Sequence, residues 1–208
     1  MEVAELGHQA AKSQATRNRV ISAVIGIIKE QGFHGFIRPR LITNPEEWKS
    51  PIVFDYPGLS IQSVEMDYPN FPEESFKIEW QGRNDIFLYD KQGNKVEEFD
   101  RLQIKNYLLQ YKRIYVETFD SKLTPHQEDS VIQQTIPKAV ITIRDREGNS
   151  QKVQIYDKGY VDPRLRNEEY GEFDPERFYI LNDDNDLALG QTLQWDPLLV
   201  PIKLFVSE

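Results

Sequence analysis

Two matching turns constrain this chain most: Asp90-Lys91-Gln92-Gly93-Asn94 and Asp145-Arg146-Glu147-Gly148-Asn149, both of the form D-x-x-G-N. An aspartate opens such a turn by accepting hydrogen bonds from the backbone just ahead of it. The glycine takes a positive φ at no steric cost. Apolar runs flank each turn: Ile86-Phe87-Leu88-Tyr89 before the first, Val140-Ile141-Thr142-Ile143 before the second, and Val153-Gln154-Ile155-Tyr156 after it. This is β-hairpin chemistry. It points to architecture rather than to a catalytic centre. The turns lie 55 positions apart. Only the first leads directly into a helix, so the pair does not by itself establish a tandem repeat.

The remaining pattern gives an α+β chain of mostly antiparallel hairpins. Residues 1–31 read as an N-terminal helix, with Ile21, Val24, Ile25 and Ile28 on one stripe and Gly32 placed to end it. Residues 33–60 carry Pro39, Pro45, Pro51 and Pro57-Gly58 and read as mostly loop, anchored by Trp48 and Phe54. Ile61, Val64 and Met66 mark a first strand. Phe76, Ile78 and Trp80 then alternate with Lys77 and Glu79, one face toward a core and one toward water. The main amphipathic helix is expected over about 100–113, capped by Asp100, with Ile104, Tyr107, Leu108 and Tyr111 buried. Residues 114–119 read as a strand or extended connector. Thr124-Pro125 opens a short helix to Gln134, and Pro137 forbids its continuation. A second hairpin spans 140–156. Residues 157–176 read as a long polar loop. A third hairpin turns at Asn182-Asp183-Asp184-Asn185-Asp186, and Trp195-Asp196-Pro197 opens a last element ending at Phe205. The expected division is an N-terminal helix over 1–32 and one α+β domain over 33–208, in the order hairpin, helix, hairpin, hairpin.

Charge and composition exclude several function classes. With 25 basic against 34 acidic residues the net charge is −9, which repels a phosphate backbone and argues against nucleic acid as a partner. With no cysteine there is no disulfide, thiol nucleophile or cysteine-ligated metal. The longest apolar run, Val20 to Ile28, is far short of the roughly 20 residues of a transmembrane helix. Arg17 and Arg19 precede it, but Lys29-Glu30-Gln31 follow it where a signal peptide would carry small residues.

Each candidate for chemistry has a plainer reading beside it. Asp183, Asp184 and Asp186 are the densest carboxylate group and the metal candidate, yet the glycine and glutamate positions of a calcium loop hold Ala188 and Gln194. A solvated turn fits better. His126, Asp129 and Ser130 share one short helix instead of converging as a triad must. His34 lacks partners for zinc, there being only His8 and His126 besides. The pairs Glu73-Glu74, Glu97-Glu98 and Glu168-Glu169 are adjacent in sequence and point apart, so a carboxylate-dependent hydrolase is the least favoured reading. No phosphate-cradling or nucleophile-elbow motif is present, and no cofactor is implied. Trp48, Trp80 and Trp195 are the candidates for a glycan- or peptide-binding platform, against core packing as the plain alternative.

Four stretches in order carry a family resemblance. They are Gly35-Phe36-Ile37-Arg38-Pro39-Arg40 with Glu47-Trp48; Pro72-Glu73-Glu74-Ser75-Phe76-Lys77-Ile78; Tyr107 to Phe119; and Arg177-Phe178-Tyr179 running to Trp195-Asp196-Pro197-Leu198. On these, residues 33–205 resemble the C-terminal part of Bacteroidetes members of domain-of-unknown-function family 4340. The resemblance implies repeated hairpin-plus-helix modules and an envelope protein tethered by an N-terminal transmembrane helix and facing the periplasm. It also implies a protein partner, such as a membrane or transporter-associated complex. It implies no catalytic residues. The first 32 residues depart from it, since an anchor and an earlier module are expected there. The resulting expectation is a non-enzymatic, envelope-associated interaction module, with glycan or peptide binding as the alternative.

Overall fold

The computed structural model describes residues 49–57, 60–82, 85–159 and 172–206, all within the unit 43–208. The expected N-terminal helix, the 32/33 boundary, Trp48, His34 and the Glu168-Glu169 pair lie outside the described residues.

Among the described residues, ten strands and three α-helices follow in chain order. They are β1 (Ile52–Phe54), β2 (Ile61–Asp67), β3 (Phe76–Trp80), β4 (Ile86–Asp90), β5 (Lys95–Val96), α1 (Arg101–Leu109), β6 (Ile114–Tyr115), α2 (Pro125–Gln134), β7 (Ala139–Asp145), β8 (Ser150–Gly159), β9 (Phe173–Leu181), β10 (Leu187–Gln191) and α3 (Thr192–Trp195). Eight strands make one antiparallel sheet in the order β10-β9-β8-β7-β2-β3-β4-β5, and β1 pairs with β6 in a separate ladder. The α+β class with antiparallel hairpins is therefore what the chain adopts.

The strand order is a palindrome of two four-stranded meanders, β2–β5 and β7–β10, joined first strand to first strand. The joint is self-complementary. Met66 faces Ile141, Glu65 faces Thr142 and Asp67 faces Val140, so exchanging the meanders maps the pairing onto itself. The strands that lead into the two meanders, β1 and β6, also pair antiparallel with each other. The chain thus contains two related modules, and α2 is an insertion in the second, between β6 and β7.

Three of the hairpins, β4–β5, β7–β8 and β9–β10, share one turn. Asp90 Oδ1 accepts from the Asn94 N–H at 2.8 Å, and Asp145 Oδ1 accepts from the Asn149 N–H at 2.8 Å. Asn182 Oδ1 accepts from the Asp186 N–H at 2.8 Å in the same way. The left-handed position is filled by Gly93 at φ 82°, Gly148 at φ 92° and Asn185 at φ 60°. Asparagine is the non-glycine residue best suited to that region. The module equivalent of turn 90–94 is therefore 182–186.

One face of the sheet forms the core against α1, the β1–β6 ladder and the C-terminal segment. Phe76, Tyr107, Tyr111 and Phe205 meet edge to face, and Phe54 and Phe178 pack on Trp195. Helix α1 begins as expected, with Asp100 Oδ1 accepting from the Leu102 and Gln103 N–H groups. It ends at Leu109 rather than near 113. The Gln110 N–H bonds to the Tyr107 carbonyl, and Arg113 takes φ 59°, which turns the chain into β6. Ile104, Tyr107, Leu108 and Tyr111 are all buried.

Two stretches read as loop are partly strand. Residues 52–54 form β1, and β8 and β9 run into the expected 157–176 loop. There Lys158 and Asp174 form a buried ion pair at 2.8 Å, with side chains 7% and 14% exposed. Polar composition concealed these strand ends because each charge is neutralised by its neighbour.

Candidate functional site

The second face of the sheet differs between the modules. Register makes Phe87 the equivalent of Tyr179, Tyr89 of Leu181, Glu79 of Tyr156, Lys77 of Gln154 and Lys95 of Leu187. In the second module, Tyr156, Tyr179, Leu181, Leu187 and Leu189 are buried beneath Leu123 and the α2 residues Val131 and Ile132. Thr124 and Gln127 make a reciprocal capping box that fixes the start of α2. In the first module no described element covers the face. Ser63, Glu65, Asp67, Lys77, Glu79, Phe87 and Tyr89 are all at least partly exposed.

Cross-strand neighbours form two rows on this open face. One runs Ser150–Arg144–Ser63–Glu79–Phe87, and the other Lys152–Thr142–Glu65–Lys77–Tyr89–Lys95. The Lys77 ammonium pairs with Glu79 at 2.6 Å, and the Lys95 ammonium lies 5.4 Å from the Phe87 ring centroid and 3.5 Å from Glu97. A groove of about 520 Å³ lies along β3, β4 and the 90–93 turn. A second hollow of about 280 Å³ over β2, β3 and β7 shares Glu65, Lys77 and Glu79 with it.

The tryptophans read from sequence as a binding platform take another place. Trp195 is fully buried, and its indole N–H donates to the Tyr115 carbonyl at 2.9 Å. Trp80 is 5% exposed, with the Arg146 guanidinium 5.8 Å from its ring, and its indole nitrogen and Ser60 Oγ are buried without hydrogen-bond partners. Neither ring is available to stack on a ligand from solvent. Both occupy apolar positions facing the core, where about 25 cal/mol per Å² favours burial.

The candidate metal group is spread out by its turn. Asp186 pairs with Lys49 at 2.7 Å, Asp183 accepts from the Lys152 N–H at 2.9 Å, and Asp184 is exposed. Among the described residues no group of three or more His, Asp or Glu is placed to hold a metal ion. His126 and Asp129 are exposed on α2, and Ser130 Oγ bonds Gln134. A cleft of about 540 Å³ beside this turn, between β1 and β9–β10, contains the Lys49–Asp186 pair.

The displaced titrations follow burial and local hydrogen bonding. Burial raises Tyr107 and Tyr111, whose hydroxyls bond each other while Tyr107 also donates to the Leu198 carbonyl at 3.1 Å. Burial raises Tyr68 as well. Among the described carboxylates, Asp90 and Asp145 are lowered by the side-chain amides of Asn94 and Asn149, and Asp120 by Lys122. Burial pushes Asp174 up, but the Lys158 hydrogen bond, the Glu176 and Arg177 backbone N–H groups and the Lys158 charge together outweigh it and leave the carboxyl low. A general acid would need the opposite displacement.

Sequence reasoning missed Phe87 and Tyr89 as surface groups. The usable signal was their alternation with buried Ile86 and Leu88. Among the described residues no helix is long and apolar enough to cross a membrane. No protein-family model matches the chain, and no curated protein or solved structure matches it either.

Proposed function

We propose that the chain is a non-enzymatic interaction module whose recognition surface is the open sheet face of its first module. The carrying observation is the contrast between equivalent faces. Tyr156, Tyr179 and Leu181 lie sealed beneath α2, whereas Lys77, Glu79 and Tyr89 line a groove and Phe87 is partly exposed beside it. A rigid sheet holds these side chains at fixed spacings, which suits binding. The resemblance of residues 33–205 to family 4340 is the ground for placing the module at a cell envelope, beside a membrane or transporter-associated complex.

A photo-crosslinking residue in place of Tyr89 tests this in intact cells of the source organism. The expected result is a discrete light-dependent adduct from position 89 and none from position 138 on the exposed end of β7's approach. Equal labelling from both positions would remove the open face as the recognition surface.

A further inference from the structure

Resting on that reading, we infer that the open face binds a neutral polyhydroxylated chain, an oligosaccharide or polysaccharide of uncharged sugars. The charge pattern carries the choice. Lys77 lies between Glu65 and Tyr89, and Arg144 lies between Ser150 and Ser63, with Glu79 one strand further. Strands are about 4.8 Å apart, so a run of either charge laid across the face would meet its own sign within one or two strands. A neutral chain meets only donors and acceptors. Carboxylates accept from hydroxyls, Lys77 and Arg144 donate, and serine hydroxyls do both.

The shape agrees with this chemistry. From Tyr89 on β4 to Arg144 on β7 the face crosses four neighbouring strands, a span of about 14 Å. The two hollows along it share lining residues and accommodate several linked rings. Phe87 and Tyr89 offer partly exposed aromatic surface at one end, suited to the apolar face of a sugar ring. The same aromatic positions in the second module are buried, so this surface is particular to the first.

Affinity electrophoresis of the intact chain tests the inference, in gels containing a neutral glucan, galactan, mannan or xylan, or acidic polygalacturonate. At least one neutral polymer is expected to retard the chain. Tyr89→Ala and Glu79→Ala should each weaken retardation at least tenfold at an unchanged thermal midpoint, while Tyr89→Phe retains it. Absence of retardation in every neutral gel, retardation by polygalacturonate alone, or undiminished binding by Tyr89→Ala and Glu79→Ala would overturn it. If the neutral gels fail but position 89 still crosslinks, the interaction reading stands and the ligand class falls. If a retained polymer is shortened on incubation, the ligand class stands and the non-enzymatic reading falls.

Discussion

Met66 and Ile141 face each other across the β2–β7 pair, and each holds the same place in its own module. Both are fully buried, and the flanking pairs Glu65–Thr142 and Asp67–Val140 exchange under the same operation. The joint between the modules therefore behaves as an isologous interface within one chain. It extends two meanders into a sheet whose central strands have no free edge. The outer strand β10 is in turn bonded through Leu189 to Glu117 and Thr118, which blunts an edge otherwise open to pairing.

Close packing at β10 makes Gly190 sensitive to substitution. A Cβ there would stand 2.5 Å from Ile180 Cδ1 and 2.8 Å from the Phe178 ring, which itself packs on Trp195. Gly190→Ala should cost about 1–3 kcal/mol, read as a lower midpoint in urea unfolding at an unchanged slope.

The three turns should respond according to their left-handed residue. Gly93→Ala and Gly148→Ala place a Cβ at φ 82° and 92° and should each cost about 1 kcal/mol, although nothing crowds either site. Asn185→Gly should be neutral or gain a few tenths of a kcal/mol, because φ 60° is available to both residues. Thermal unfolding of the three variants checks the order.

Stability should fall at both ends of the pH range. Asp174 is depressed in the folded state, so its contribution is present above the unfolded carboxyl value of about 3.9 and is lost as pH falls through the lower folded value. Asp174→Asn should flatten this acid limb and cost about 2–4 kcal/mol at neutral pH by leaving Lys158 buried without its partner. Tyr107 and Tyr111 are raised, so their contribution is complete below about pH 10 and is lost at more alkaline pH. Absorbance titration should show their ionisation only as the chain unfolds.

Equivalent aromatic positions should differ in energetic weight. Tyr179→Ala, beneath α2, should cost about 3 kcal/mol, whereas Phe87→Ala on the open face should stay within about 1 kcal/mol. Comparable losses at both positions would mean that the first module's face is also packed.

Local chemistry was legible in the sequence, and the relation between segments was not. The Asp100 and Thr124 caps, the buried stripe of α1 and the Phe76–Trp80 alternation follow from short-range rules. The repeat escaped because the two glycine turns are not equivalent positions. The true counterpart of turn 90–94 is 182–186, where Asn182 and Asn185 stand in for Asp and Gly and the cluster reads as acidic. The open face escaped for a related reason. Trp80 and Trp195 attract notice by type, but strand alternation points Trp80 into the core and α3 buries Trp195, while Phe87 and Tyr89 fall on the other side of their strand. Periodicity separates the two faces of a strand, but only the position of α2 decides which face is covered.

Hydroxyl-radical footprinting of the intact chain tests the central contrast most directly. Phe87 and Tyr89 should be oxidised readily while their counterparts Tyr179 and Leu181, with Tyr156, stay protected. Equal oxidation of the two sets, or protection of Phe87 and Tyr89 in the chain alone, would contradict an open recognition face on the first module.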